Sequence, residues 1–257
     1  MRLNISHVTR YSYSEPVRRI TQSMRLFPTP HAGQKIESWH VHMSEGTAGT
    51  QITDGAGNII QTYSIENPPE TIEIKVEGTV ETSETGGVLR DHNEIIHPLA
   101  YLQQTHATLP DQTIITLATG VVSGTFGQVT IQNIHDLAKC ISDALTYETE
   151  STSVTTTARQ ALENGRGVCQ DYAHLLIAAC GVIGIPARYI SGYLLASDQL
   201  SPDEASHAWA EIYVPDLGWV GFDPANHCCT NDNYVRLASG LDASRAAPIR
   251  GISRGVS

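Results

Sequence analysis

The chain has 257 residues, of which 40% are hydrophobic and 17% are charged. The length suggests one large domain or two modest ones, and the composition is typical of a globular rather than a disordered protein. Its 27 acidic and 16 basic residues give a formal net charge of -11. Because an acidic surface repels phosphate backbones and anionic lipids, we expect neither nucleic acid nor a membrane as a partner.

The cysteines and the first residues indicate a compartment. Residues 1–16 carry charged and polar side chains where a signal peptide needs an apolar stretch. No run of 18 apolar residues follows. An odd number of cysteines without a regular framework favours reduced thiols over a disulfide fold. The sequence therefore predicts a cytoplasmic protein. The five cysteines are Cys140, Cys169, Cys180, Cys228 and Cys229.

The first part of the chain is predicted to form strands. Short segments rich in β-branched and aromatic residues are separated by turn signals, and residues 72–77 (Ile-Glu-Ile-Lys-Val-Glu) alternate strictly. The predicted strands are residues 6–13, 22–27, 37–43, 59–65 and 71–80. We interpret residues 1–81 as an antiparallel β-rich N-terminal domain and the polar residues 82–93 as a linker.

The hydrophobic period changes after the linker. Apolar residues now recur at a spacing of three and four, which indicates helices. The predicted helices are residues 130–145, 155–163 and 167–183, and the predicted strands are residues 187–194, 207–214 and 219–222. Helices that precede strands indicate an α+β fold. Residues 94–238 are predicted to be the core, and residues 239–257 a loose C-terminal tail.

Cys169 is the candidate nucleophile. It follows Gly165 and Gly167 and opens the third predicted helix. The positive end of a helix dipole favours a thiolate there. Free backbone amides at the same helix end, including that of Cys169, could stabilise an oxyanion.

His207 and Asp223 are the candidate partners of this thiol. They lie near the outer ends of two predicted strands that are joined by the turn-forming residues 215–218. In such a hairpin they would be cross-strand neighbours. His207 would then act as a general base, and Asp223 would orient its ring. Asn226 would either help to hold Asp223 or end a turn.

Several motifs carry a resemblance to a known family. They are residues 25–28 (Arg-Leu-Phe-Pro), 54–58 (Asp-Gly-Ala-Gly-Asn), 165–174, 184–189, 206–211 and 218–224. With these motifs the chain resembles the bacterial transglutaminase-like family over nearly its whole length. The resemblance implies a β-rich N-terminal region followed by a papain-like core, in which the cysteine helix packs on an antiparallel sheet. It also implies Cys169 as nucleophile, His207 as base and Asp223 as the orienting acid.

The sequence departs from animal-type transglutaminases at the oxyanion site. Those enzymes have Trp directly after the nucleophile and another Trp upstream that donates to the oxyanion. Here Gln170 follows the cysteine, and the tryptophans are Trp39, Trp209 and Trp219. We therefore retain Gln170 and Trp209 as candidates for oxyanion or cleft contacts. Cross-linking activity does not follow from the resemblance.

The chemistry of these residues is acyl transfer from an amide. We expect hydrolysis of a peptide or protein substrate through a thioacyl-enzyme, without a cofactor. Amine transfer, deamidation and a non-catalytic protein-binding module are the alternatives. We expect no metal site, because the run from His227 to Cys229 lacks the spaced ligand pairs of structural zinc sites. The Ser-, Asp- and Pro-containing residues 196–205 are predicted to edge the cleft.

Overall fold

The structure is a computed structural model that describes residues 1–124, 128–195 and 206–255. The predicted cleft edge at residues 196–205 lies outside the described residues. In the described ranges, no helix is long and apolar enough to cross a membrane.

The N-terminal region forms two antiparallel sheets that share a core. The strands are β1 (Arg2–Ser12), β2 (Val17–Phe27), β3 (Gln34–Met43), β4 (Thr47–Ala48), β5 (Ile52–Thr53), β6 (Ile59–Glu66) and β7 (Thr71–Thr82). One sheet has the order β1-β7-β3, and the other contains β2-β6-β4, with β5 also pairing with β6. Ile20 and Met24 of β2 pack with Ile72 and Ile74 of β7, and all four are buried. The predicted strands are present.

The second part of the chain contains helices followed by an antiparallel sheet whose strands differ in length. After a 3₁₀ helix at Pro98–Leu102, its elements are α1 (Gln112–Val121), α2 (Ile131–Ala144), β8 (Thr146–Tyr147), α3 (Ala158–Asn164), β9 (Arg166–Gly167), α4 (Cys169–Val182), β10 (Ala187–Leu194), β11 (Ser206–Val214), β12 (Gly218–Asp223), β13 (Cys228–Cys229), β14 (Tyr234–Gly240) and β15 (Ile249–Gly255). The core sheet has the order β13-β12-β11-β10-β14.

Helix α4 lies at the centre of the core because it is apolar on nearly every side. Residues 171–180 are all buried, as expected for a helix enclosed by other elements. Ala173 and Leu176 of α4 share a hydrophobic cluster with Ala208, Ala210 and Ile212 of β11. The cysteine helix therefore packs on an antiparallel sheet, and the predicted α+β fold is confirmed.

The prediction of a loose tail over residues 239–257 is wrong for the described residues 239–255. Residues 239 and 240 end β14, and β15 pairs antiparallel with β2, with Ile249 opposite Met24. Ile249 packs against the N-terminal core. This pairing covers the backbone of β2, which would otherwise be an open sheet edge. The end of the chain thus returns to the N-terminal region.

Two amide side chains join the N-terminal region to the edge of the core sheet. Gln34 donates to the Arg236 carbonyl over 2.9 Å and accepts from its N–H over 2.7 Å. Asn58 makes the same two bonds to Ser239, at 3.0 and 2.8 Å. Because these amides satisfy backbone groups of β14 that no further strand pairs, they act as substitutes for a neighbouring strand. The two regions are therefore connected by more than residues 82–93.

Gly192 is required by the close packing beside His207, its partner in the β10–β11 register. A Cβ there would overlap the Val235 carbonyl oxygen and the Trp209 ring. We expect Gly192→Ala to lower the free energy of unfolding, measured in urea, by about 3 kcal/mol. The control is Gly120→Ala on α1, where a Cβ meets nothing within 4 Å, and it should be neutral or stabilising. Equal stability of the two variants would contradict this account.

Candidate active site

Cys169 is the first residue of α4, and the turn that precedes it is held by local hydrogen bonds. Val168 is the N-cap in an extended conformation. Its N–H donates to Asp171 Oδ2 over 2.9 Å, while its carbonyl accepts from the N–H groups of Asp171 and Tyr172. A Cβ at Gly167 would lie 2.7 Å from the Asp171 side chain, so this close approach requires glycine. The turn leaves Cys169 half-buried at the helix end.

Two backbone amides remain available at this end of the helix. Among the described residues, the N–H groups of Cys169 and Gln170 have no hydrogen-bond partner, whereas the next two amides donate to the Val168 carbonyl. Free amides at a helix N-terminus carry the positive end of the helix dipole. They can therefore donate hydrogen bonds to a developing oxyanion, provided that the reacting carbonyl lies beside the sulfur.

His207 and Asp223 are hydrogen-bonded to each other. The distance between His207 Nε2 and Asp223 Oδ2 is 2.6 Å. The β11–β12 register pairs Ala210 with Phe222, which sets Asp223 level with Trp209. The two residues are therefore diagonal rather than directly opposite, a separation that longer side chains bridge. The Cys169 thiol lies close enough to His207 to raise the pKa of its ring. The structure thus brings together the three predicted side chains.

Further donors fix the Asp223 carboxylate. Oδ2 also accepts from Asn226 Nδ2 over 2.7 Å and from the Tyr234 hydroxyl over 2.8 Å. Oδ1 accepts from the backbone N–H groups of Ala225 and Asn226, at 3.1 and 3.3 Å. A carboxylate offers about four lone-pair sites, so these donors occupy both oxygens and leave little freedom to rotate.

These contacts shift the protonation of the pair in opposite directions. Burial lowers the pKa of His207, but hydrogen bonds and charges from Asp223 and Cys169 outweigh it and raise the pKa to about 10. Burial raises the pKa of Asp223, but the bonds to His207, Asn226 and Tyr234 lower it below its ordinary value. The site therefore favours an imidazolium facing a carboxylate at neutral pH. An imidazolium also stabilises an adjacent thiolate.

The two other candidates differ in where they lie. Trp209 is buried, and its ring stacks on His207 with a centroid distance of 6.3 Å. The Gln170 side chain instead donates to the Ser153 carbonyl over 3.4 Å. Trp209 thus borders the site through packing, whereas the Gln170 amide is engaged by the loop before α3.

Sequence reasoning missed Tyr234. This residue begins β14, a strand that was not predicted. The only available signal was the short run of residues 234–238 (Tyr-Val-Arg-Leu-Ala), which is aromatic or β-branched at first and has the length of a strand.

A buried ionic network surrounds Glu211, which lies on the same strand as His207. Glu211 accepts from Arg188 Nε over 2.7 Å and from Arg236 Nε over 2.8 Å, and Arg188 also pairs with Glu94 at 2.6 Å. The Arg188 guanidinium lies 4.0 Å from the centroid of the Trp219 ring, within cation–π range. Burial raises the pKa of Glu211, but the two arginines outweigh it and lower the pKa to about 2.

His227 and Cys228, together with Asp223, line a cavity of about 370 Å³ between α2 and the β12–β13 end of the sheet. In the described part of the chain, no three His, Cys, Asp or Glu side chains are grouped so that they could hold a metal ion.

Comparisons with known proteins agree with this architecture. Residues 116–224 match the model of the transglutaminase-like superfamily, and residues 3–81 match that of the bacterial transglutaminase-like N-terminal region. The chain therefore carries a transglutaminase-like core that is preceded by a bacterial transglutaminase-like N-terminal region.

Two relatives cover nearly all of the chain. The uncharacterized protein Rv2569c of Mycobacterium tuberculosis is 28% identical over 98% of this chain and 87% of its own length. A structure from Cytophaga hutchinsonii, provisionally assigned as a cysteine protease, has a TM-score of 0.76 at 21% identity and covers 100% of this chain and 86% of that one. This structure shares the fold.

A protein-glutamine gamma-glutamyltransferase of Pseudomonas aeruginosa is 30% identical over 31% of this chain and 12% of its own length.

Proposed function

We propose that the protein is a cysteine-dependent amide hydrolase that acts on a peptide or protein through a thioacyl-enzyme. The observation that carries this proposal is that His207 lies between Cys169 and Asp223, with 2.6 Å between His207 Nε2 and Asp223 Oδ2. A sulfur, a base and an acid that orients the base form the general arrangement for nucleophilic catalysis. Because Cys169 lies at the start of α4, the free backbone N–H groups of Cys169 and Gln170 can serve as the oxyanion donors.

The proposed reaction has two halves. The Cys169 sulfur attacks the amide carbon, and the resulting oxyanion accepts bonds from the backbone N–H groups of Cys169 and Gln170. His207 gives its proton to the departing amine as the C–N bond breaks, which leaves a thioester on the sulfur. Neutral His207 then takes a proton from water as the water oxygen attacks the thioester. The C–S bond then breaks and the acid product leaves, so that Cys169 returns as a thiolate beside protonated His207.

Amine transfer is the second candidate. It shares the first half of the reaction, and a primary amine replaces water in the second half. The partial similarity to the Pseudomonas aeruginosa gamma-glutamyltransferase favours it. A non-catalytic binding module is a weaker candidate, because binding alone does not require a buried His207–Asp223 pair beside a thiol.

We also propose that the protein works in a reducing compartment, the cytoplasm. All five cysteines are free thiols, and oxidation of Cys169 would remove the proposed nucleophile. The proposed steps use only side chains and backbone amides of this chain.

The test is incubation with a peptide library and an isotope-labelled primary amine in ¹⁸O water, followed by mass spectrometry. Cleaved peptides that carry one ¹⁸O support hydrolysis, and amine adducts support transfer. Cys169→Ser should give neither product. Cys140→Ser, which alters another half-buried thiol, should behave as the wild type. Products that persist in Cys169→Ser would refute the mechanism.

A further inference from the structure

The Tyr234 hydroxyl reaches the proposed catalytic carboxylate from the far edge of the core sheet. Tyr234 is 7% exposed. Its ring packs edge-on against Trp209 at a centroid distance of 5.3 Å and lies 6.1 Å from that of His207. Its hydroxyl donates to Asp223 Oδ2 over 2.8 Å. A buried tyrosine hydroxyl therefore contacts the same oxygen that holds the His207 ring.

Two neutral donors thus compete with His207 for one carboxylate oxygen. Tyr234 and Asn226 both direct N–H or O–H dipoles at Asp223 Oδ2. The positive end of each dipole offsets part of the carboxylate charge. A carboxylate whose charge is partly offset holds a neighbouring imidazolium less strongly. The two donors therefore act against the effect of Asp223 on His207.

We propose that Tyr234 is a positioning residue that sets the proton affinity of His207 through Asp223. The inference rests on the proposed function, and it concerns the tuning of the same site. His207 must first hold a proton and then release it to the departing amine. A general acid that binds its proton too tightly is a poor donor near neutral pH. Tyr234 brings the proton affinity of His207 closer to the value that this step requires.

The ionisable groups around His207 come from four other elements. They are Cys169 on α4, Asp223 on β12, Cys228 on β13 and Tyr234 on β14. Burial together with the neighbouring Asp223 and Cys228 raises the pKa of Tyr234 far above its ordinary value. The hydroxyl therefore keeps its proton and remains a donor. Cys228 Sγ lies 3.4 Å from the Tyr234 oxygen, where its S–H can donate in turn.

The test measures the rate at which iodoacetamide alkylates Cys169 at different pH values, with the modified peptide resolved by mass spectrometry. The Tyr234→Phe substitution removes the dipole and keeps the ring. Because the charge of the Asp223 carboxylate is then offset less, His207 and Cys169 hold their protons more tightly. We expect the pH–rate profile of Cys169 to move to higher pH by about half a unit. The free energy of such a shift is a modest part of the free energy of a hydrogen bond to a charged group.

The matched control is Tyr101→Phe. The Tyr101 hydroxyl is also buried and donates to a carboxylate, that of Glu94, over 2.9 Å. It lies in the ionic network and does not contact Asp223. If Tyr234 were only structural, both variants would lose thermal stability without a change in the profile. We expect the profile to move for Tyr234→Phe alone.

A second variant decides the matter should Tyr234→Phe fail to fold. Asn226 is exposed, and Asn226→Ala removes the other neutral donor to Oδ2, so the profile should move in the same direction. Profiles that superimpose on the wild type, or move to lower pH, overturn the inference. If wild-type Cys169 reacts no faster than the more exposed Cys228, the proposed function itself fails. Fast wild-type alkylation with unshifted variants refutes only the role of Tyr234.

Discussion

Replacing Asp223 with Asn should slow the proposed acyl transfer by about 10³- to 10⁴-fold while the protein remains folded. The reason lies in the donors around the carboxylate. Oδ1 faces two backbone N–H groups, and Oδ2 faces His207 and Tyr234. An amide has a single acceptor oxygen, so its NH₂ group must face donors on one side or the other. The two backbone N–H groups favour the amide oxygen at the Oδ1 position, so the NH₂ group faces His207 and does not hold it in the tautomer that the proposed reaction uses.

The same variant should change how stability depends on pH. The pKa of His207 is raised from 6.5 to about 10, so proton binding favours the folded state. The resulting stability is fully present below pH 6.5 and is lost as the pH rises through 10. Asp223→Asn removes the charge that causes much of this shift. Between pH 6.5 and 10, the wild type should therefore lose more free energy of unfolding than the variant.

Asp143→Asn is the control for both measurements. Asp143 is an exposed residue of α2 that pairs with Lys139 at 2.7 Å, so its replacement should leave the reaction rate and the His207 titration unchanged. The account would be wrong if Asp223→Asn retained more than about a tenth of the wild-type rate, since orienting residues of this kind contribute far more than tenfold.

The parts of the site that the sequence predicted are those with local causes. Cys169 was found from the glycines before it and the helical period after it. His207 and Asp223 were found because one short turn joins their strands and so restricts their pairing. The exact register was not predicted, and the two residues prove to be diagonal. The placement of these side chains agrees with the prediction, whereas their chemical roles remain proposals.

The parts that were missed depend on contacts between distant segments. Strand β14 pairs with β10, and β15 pairs with β2 at the other end of the chain. No local pattern specifies such a partner. Tyr234 and Arg236 were missed because β14 was not predicted. The hydrogen bonds between Gln34 and Arg236 were missed for the same reason. Because Tyr234 belongs to β14, its contact with Asp223 was not predicted, whereas Asn226 was already a candidate to hold that carboxylate.

Part of the ionic network was nevertheless within reach. Arg188 and Glu211 are cross-strand partners in β10 and β11, both of which were predicted as strands. An opposite-charge pair at facing positions of buried strands indicates an internal ion pair. The second arginine and Glu94 come from segments that the local pattern does not place. The sequence therefore indicated at most one of the three ion pairs.

Replacing Glu211 with Gln should lower the free energy of unfolding by about 3–5 kcal/mol, because it leaves buried arginine charge unpaired. Oε2 of Glu211 accepts from Arg188 and Arg236, Oε1 accepts from Arg236, and the three side chains are at most 4% exposed. A glutamine offers one acceptor oxygen and directs an NH₂ group at a guanidinium in place of the other. Urea denaturation at neutral pH measures the loss.

The control for this loss is an ion pair of similar length at the surface. Glu73 pairs with Arg10 at 2.9 Å, but the two side chains are 39% and 68% exposed. Glu73→Gln should therefore cost no more than about 1 kcal/mol. Comparable losses in the two variants would show that burial does not set the strength of the Glu211 network.

Acid titration gives an independent check on the same residue. Burial raises the pKa of Glu211, but the arginines lower it from 4.5 to about 2. A depressed carboxyl pKa contributes stability that is present above pH 4.5 and lost as the pH falls through 2. The stability difference between the wild type and Glu211→Gln should therefore shrink over this range. A difference that stays constant would mean that the ionised carboxylate is not what holds the two arginines in the core.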